Sequence, residues 1–276
     1  MKYVIYFFLF SVSFPFLSRI WGKLVKIRKP ASVIRKIVSL YADYYNIDMS
    51  EYAGNTADYD SLSRFFTRPL DENIRPLEKD AGSFLSPSDG KITVLESIVA
   101  DIATQVKGRT YKMTELLRKE INLSEGYCMM TIYLSPRDYH RYHVPVESEV
   151  VSYIHTGWRL FPVNKLSADS VNNLFVRNER VCVKFKSGWG DFYFVAVGAA
   201  FVGSIKMDFY TEPVEGKWVT VNRKYPQNKE LGMFEMGSTI ILVIPEKMIE
   251  ELKVKEGDVI KAGQPLLKLK QVKRTK

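Results

Sequence analysis

Three short stretches of the chain carry residue types that can move protons or attack a carbonyl. The first is LSPRDYHRYHVPV, Leu134 to Val146, which holds His140 and His143; His155 follows, so all three histidines fall between residues 140 and 155. At a spacing of three, a helical turn would place the imidazoles of His140 and His143 on one side. A metal centre is disfavoured because no third donor stands at a ligand-like spacing. Pro136, Arg137, Asp138, Tyr139 and Pro145 make a rigid polar turn suited to orienting an imidazole for proton transfer. A hydrogen-bonded surface pair is the plainer alternative. The second stretch is SPSDGKI, Ser86 to Ile92, where Asp89-Gly90 on its own reads as a turn. The third is GMFEMGSTIILVIP, Gly232 to Pro245, where Gly237-Ser238-Thr239 opens an apolar run. A serine there is a nucleophile only if a base activates it. Small residues also begin many ordinary strands.

The elements that must position these groups are mainly β. After Phe65, turn residues separate short β-rich runs, which predicts strands at Lys91–Ser97, Tyr127–Leu134, Glu149–Ile154, Val181–Phe185, Phe192–Val197, Ser238–Ile244 and Leu266–Leu269. Short helices are predicted around Met113–Lys119 and Glu246–Glu251. The expected class is α+β, mainly β, with a compact barrel or sandwich as the catalytic body and amphipathic helices before it. Cys128 and Cys182 lie in apolar runs and read as small buried hydrophobes; two cysteines define neither a disulfide framework nor a zinc cluster. The last segment, VKEGDVIKAGQPLLKLK, has the glycine spacing of a barrel-sandwich carrier domain. It lacks a clear attachment lysine at a hairpin tip.

The amino terminus differs in character. Tyr3 to Leu17 is almost wholly apolar, and Arg19, Lys23, Lys26, Arg28 and Lys29 follow at once. Pro15 interrupts a run already short of the ~20 residues that a spanning helix needs, so a shallow or monotopic anchor is expected rather than a crossing. No small-x-small cleavage site marks a secretory signal. Between Pro30 and Tyr52, apolar residues recur at three- and four-residue steps, which predicts an amphipathic helix facing either a membrane or the catalytic body. Residues 1–52 are expected to be a membrane-associating region and residues 53–276 a catalytic domain. The net charge of +9 suits an anionic partner, and no aromatic-basic motif for nucleic acid is present.

Taken together and in order, the stretches FFTRPLDENIRPL, SPSDG, LSPRDYHRYHVPV, HTGWRLFPVN, LFVRNERV, VGAAFVGSI and FEMGSTIIL resemble the phosphatidylserine decarboxylase family over roughly residues 40–270. The sequence departs from it at Ser88, where alanine is common, and at Met236, where leucine or glycine is common. The resemblance implies conversion of phosphatidylserine to phosphatidylethanolamine and carbon dioxide through a Schiff base to a covalent pyruvoyl group, with neither metal nor pyridoxal phosphate. That group would be made from Ser238 by self-cleavage after Gly237, giving residues 1–237 (beta chain) and 238–276 (alpha chain), which stay associated. The resemblance further implies Ser238, His143 as base and Asp89 as its orienting group, with His140 near the substrate headgroup. His155 reads as a structural histidine, and Thr239 as a strand former or an aid to positioning the cut. The implied partners are phosphatidylserine and an anionic membrane surface at the cytoplasmic face, and a homodimer is compatible with them. Two other readings are a non-enzymatic carrier module and a soluble pyruvoyl-dependent amino-acid decarboxylase.

Overall fold

In the computed structural model the described residues are 13, 15–77, 79–106, 108–119, 121, 126–200, 205–209, 216–235 and 238–271. Most of the apolar stretch from Tyr3, together with Met236 and Gly237, lies outside them. β-Branched and aromatic runs broken by Gly, Pro and Asn turns pair as antiparallel strands. In chain order these are β1 (Ser83–Leu85), β2 (Gly90–Ser97), β3 (Ile102–Val106), β4 (Arg109–Lys112), β5 (Tyr127–Leu134), β6 (Arg141–His143), β7 (Ser148–Thr156), β8 (Arg180–Ser187), β9 (Asp191–Gly198), β10 (Ile205–Met207), β11 (Trp218–Tyr225), β12 (Glu230–Phe234), β13 (Ser238–Pro245), β14 (Ile249–Leu252), β15 (Val259–Ile260) and β16 (Pro265–Leu269). The largest sheet has the order β11-β7-β8-β9-β13-β5-β2-β15, and two three-stranded sheets have the orders β1-β16-β14 and β10-β12-β6.

Both faces of the large sheet are covered. Every residue of β13 is buried, which is why it reads as a continuous apolar run rather than an alternating one. Ile240, Leu242 and Ile244 face a core shared with Phe84, Leu266 and Leu267 of the β1-β16-β14 sheet and with Tyr142 and Phe234 of the β10-β12-β6 sheet. Ile241 and Val243 face a second core built with the β3–β4 hairpin and the short helices Met113–Leu117, Lys165–Ser170 and Leu174–Arg177. The body is therefore a sandwich on one side and a sheet covered by helices on the other, with no closed barrel. The carboxy-terminal segment is woven into it: β15 pairs with β2, and β16 lies between β1 and β14.

The expected strands all form, with ends shifted by at most two residues. The helix expected at Glu246–Glu251 is instead one 3-10 turn, Glu246–Met248, followed by β14, because Ile249 and Leu252 gain more by pairing with β16 than local propensity offers. The helix expected at Met113–Lys119 stops at Leu117, where Arg118 turns left-handed with φ 53°. The amphipathic helix after Pro30 runs only from Ala31 to Tyr45. It is apolar on two sides. Ile34, Val38 and Ala42 pack on Tyr59 and Phe65, whereas Val33, Ile37, Leu40 and Tyr44 point to solvent. No helix among the described residues is long and apolar enough to cross a membrane.

Because Leu242 is fully buried in β13, Leu242→Ala is expected to lose about 2–5 kcal/mol of stability, read as a lowered midpoint in guanidinium unfolding.

Candidate active site

The three stretches singled out above, far apart in sequence, meet where β5 ends and β13 begins. After Leu134 the chain crosses through residues 135–140 to β6, and β12 ends at Phe234 shortly before β13 begins at Ser238. Both successions join the same pair of sheets, since β5 pairs with β13 and β6 pairs with β12. Their ends are tied together: Ser238 stands opposite Leu134 in register, and the Phe234 N–H donates to the His140 carbonyl at 2.9 Å. SPSDG joins from a third direction. The Pro87 carbonyl accepts the His143 N–H at 2.8 Å, and the Ser88 hydroxyl donates to the Tyr139 carbonyl at 2.7 Å. The serine that departs from the family pattern thus adds a bond to the histidine segment. Gly90 is required beside it: its φ is +158°, and a Cβ there would lie 2.7 Å from the Tyr133 carbonyl oxygen.

Ser238 is fully buried, held between Leu134 of β5 and Gly198 of β9, and its Oγ has no hydrogen-bond partner among the described residues. Thr239, on the opposite face, lines a cavity of about 810 Å³ with Ile92, Val94, Tyr133, Val163 and Phe175. Its Oγ1 is likewise buried without a partner.

The two histidines do not sit on a helical turn. β6 is extended and pairs with β12, Glu230 lying opposite His143, whereas His140 precedes that strand and belongs to no helix. Their surroundings differ accordingly. His143 Nδ1 donates to the Asn228 carbonyl at 2.9 Å, which leaves Nε2 as the basic nitrogen, and that atom accepts from the Tyr139 hydroxyl at 2.9 Å. Burial raises the Tyr139 phenol well above its ordinary range, so it stays protonated as the donor. His140 Nδ1 donates to the Asp138 carbonyl at 2.8 Å, and its Nε2 is buried with no partner among the described residues. The His140 ring lies 3.9 Å from that of Phe66. Burial pushes His140 down to about 3, opposed by the Asp138 carbonyl and assisted by the nearby Arg68 charge. His143 is also lowered by burial, against the pull of the Asn228 carbonyl. Both imidazoles are therefore neutral at pH 7 and able to act as bases.

Asp89 has other partners than expected. Its carboxylate takes both terminal nitrogens of Arg75, one at 3.0 Å, and the Ala262 N–H at 2.8 Å. No hydrogen bond joins it to His143, but its charge reaches that ring and favours the protonated form. His155 bonds Glu179 at 2.9 Å in β7, as a structural histidine does. Among the described residues no cluster of three His, Cys, Asp or Glu side chains could hold a metal.

Tyr139 belongs to the polar turn expected to orient an imidazole, and three other neighbours of the site escaped the sequence reading. Arg75 and Arg68 both lie inside FFTRPLDENIRPL. Arg68 is a fully buried cation whose guanidinium donates to the Phe65, Arg137 and Asp138 carbonyls and lies 4.2 Å from the Tyr52 ring centre. Asn228 acts through its backbone carbonyl and sits at φ 62° in the turn before β12, so only its turn-forming type hinted at it.

The depressed histidines make stability depend on pH. Between the folded value and the ordinary 6.5 the unfolded chain binds more protons, so stability is complete above about pH 6.5 and falls as the pH drops, by up to about 1.4 kcal/mol per unit for each histidine. Urea midpoints of a Ser238→Ala chain should fall from about pH 7.5 to 5, and adding His140→Gln should flatten that slope.

Comparison with known proteins agrees with the meeting of these motifs. Residues 62–268 match the family model for phosphatidylserine decarboxylase. The chain is 36% identical over 262 residues to a phosphatidylserine decarboxylase proenzyme of Brevibacillus brevis, covering 91% of this chain and 92% of that protein. It is also 36% identical over 263 residues to the proenzyme of Campylobacter jejuni, covering 90% of this chain and 97% of the other, and 36% identical over 259 residues to that of Helicobacter pylori, covering 91% and 95%. The chain therefore belongs to the phosphatidylserine decarboxylase family, whose members are carboxy-lyases.

Proposed function

We propose that this chain is a proenzyme that cuts itself before Ser238 and then decarboxylates phosphatidylserine by means of a pyruvoyl group formed from that residue. The observation that carries the reading is the Ser238 hydroxyl, buried and without a hydrogen-bond partner among the described residues at the first position of β13, opposite the end of the strand that leads to two neutral histidines. A desolvated hydroxyl with no competing hydrogen bond is free to turn on its own backbone. The relatives' designation as proenzymes supports a maturation step.

In that step Ser238 Oγ gives its proton to a base and attacks the Gly237 carbonyl carbon; the C–N bond breaks, the nitrogen takes up a proton, and an ester links the two segments. Glycine leaves that carbonyl sterically open. Removal of the Ser238 Cα proton then expels Gly237 as a carboxylate, breaking the Cβ–O bond and leaving dehydroalanine. Water converts this to a ketone and releases ammonia. His143 is the base: its Nδ1 proton is committed to Asn228, so Nε2 accepts the serine proton once Tyr139 yields that position. Asp89 favours the resulting imidazolium through its charge, and the Arg75 clamp keeps that carboxylate in place.

A ketone at residue 238 supplies the electron sink that loss of carbon dioxide from an α-amino acid requires and that no unmodified side chain offers. His140, whose Nε2 carries no proton and has no partner among the described residues, is suited to take up a proton as the substrate amine condenses with that ketone.

The substrate's acyl chains remain in a bilayer, so the enzyme must work at its surface. The outward stripe of Val33, Ile37, Leu40 and Tyr44, with Phe16, Ile20 and Leu24 on the preceding helix Pro15–Leu24, suits contact with lipid. Lys23, Arg28 and Lys29 lie close by, each such cation adding about 1 kcal/mol of attraction to an anionic leaflet.

Intact-mass measurement of the purified chain should show two fragments, 1–237 and a 238–276 piece blocked at its amino end and reactive to hydrazine. Ser238→Ala and His143→Ala should remain whole. His140→Ala should be cut and yet lose at least about 100-fold in decarboxylation of phosphatidylserine vesicles. An uncut wild type with full activity would overturn the reading.

A further inference from the structure

The described part of the crossing that leads to Ser238 is gripped from the amino-terminal side of the molecule. Lys26 Nζ lies 2.8 Å from Glu235 Oε2, a contact that joins residues 209 apart in sequence. Glu235 follows Phe234, the last residue of β12, and stands three residues before Ser238. Its side chain is only 13% exposed. Lys26 is itself held in place: Val25 is buried, and its carbonyl accepts the Ser63 N–H at 2.9 Å at the start of the Leu62–Phe66 helix.

An ion pair with one partner half exposed adds little to global stability, typically under about 1 kcal/mol. What this pair does have is position. Upstream of the bond to be cut, the chain is fixed by the Phe234 N–H on the His140 carbonyl; downstream it is fixed by the register of Ser238 between Leu134 and Gly198. Residues 235–237 must cross between those points with the Gly237 carbonyl within reach of Ser238 Oγ. Small errors in such an approach cost large factors in rate.

We propose that Lys26 is a positioning residue for self-cleavage, holding Glu235 so that the segment ahead of Ser238 keeps the geometry of attack. The inference rests on the self-cleavage reading above. It gives the basic stretch before the Ala31–Tyr45 helix a task inside the protein as well as at its surface.

The test follows the appearance of the two fragments in the full-length chain, freshly synthesised in detergent at low salt. Lys26→Met and Glu235→Gln should each slow cutting by about fivefold, equivalent to about 1 kcal/mol at the barrier. Lys26→Arg should retain most of the rate, and the exchange Lys26→Glu with Glu235→Lys should restore it to within about twofold, corresponding to about 0.4 kcal/mol. A salt concentration of about 1 M should slow the wild type toward Lys26→Met while leaving that variant's rate unchanged, a response that a purely structural role would not give. Arg64→Met, which removes an exposed ion pair with Asp60, serves as the control and should cut at the wild-type rate. Wild-type cutting by Lys26→Met, or failure of the charge exchange to restore the rate, overturns the inference while leaving Ser238 as the cut site. A wild type that never cuts removes the underlying reading and this inference with it.

Discussion

Ser238 is the first residue of a strand enclosed on both edges and both faces, so its hydroxyl is cut off from water and has no hydrogen-bond partner among the described residues. The rest of the site follows from this placement. Pairing with β5 brings the segment that follows Leu134 alongside the start of β13, and pairing of β12 with β6 brings the histidines to the other end of the same crossing. Register, rather than any single side-chain contact, assembles the chemistry. A slip of one residue in β13 would turn Ser238 toward the helix-covered face and Thr239 toward the sandwich core.

Two histidines three residues apart are presented in different surroundings. Each Nδ1 is committed to a backbone carbonyl, so each ring presents Nε2, and burial holds both neutral. They differ in what meets Nε2: a protonated phenol at His143, no partner among the described residues at His140. Tyr139 thus ties the two halves of the site together, since its carbonyl takes the Ser88 hydroxyl while its side chain occupies His143.

Much of this was legible in the residues alone, for reasons that can be named. β5 and β13 were readable because strands buried on both faces appear as unbroken apolar runs bounded by turn residues. The family resemblance placed Ser238, His140, His143 and Asp89 in one neighbourhood, and the hydrogen bonds from SPSDG and Phe234 to residues 139–143 show how the three stretches come together. That the histidines do not share a helical turn was not legible, because a spacing of three suits a helix until the pairing of His143 with β12, some ninety residues onward, is known. Asp89 was expected to serve His143 directly, yet an arginine from another quoted stretch takes its carboxylate. The helix after Pro30 left two faces to choose between; its stripes divide, one inward on Tyr59 and Phe65 and the other outward.

The course of the chain after Ser238 decides what a cut before that residue would leave behind. β13 lies between β5 and β9, β15 extends the edge at β2, and β16 is clasped by β1 and β14, so the short carboxy-terminal piece is threaded through two sheets. Severing the backbone before β13 would leave every one of those ladders intact, and the pieces would stay together without any covalent link. Once denatured, however, such a molecule would have to find its missing strands by collision, and recovery would become second order and dependent on dilution, whereas the uncut chain refolds as one. The native state would then be reached once, during synthesis, and kept by the height of the barrier to leaving it.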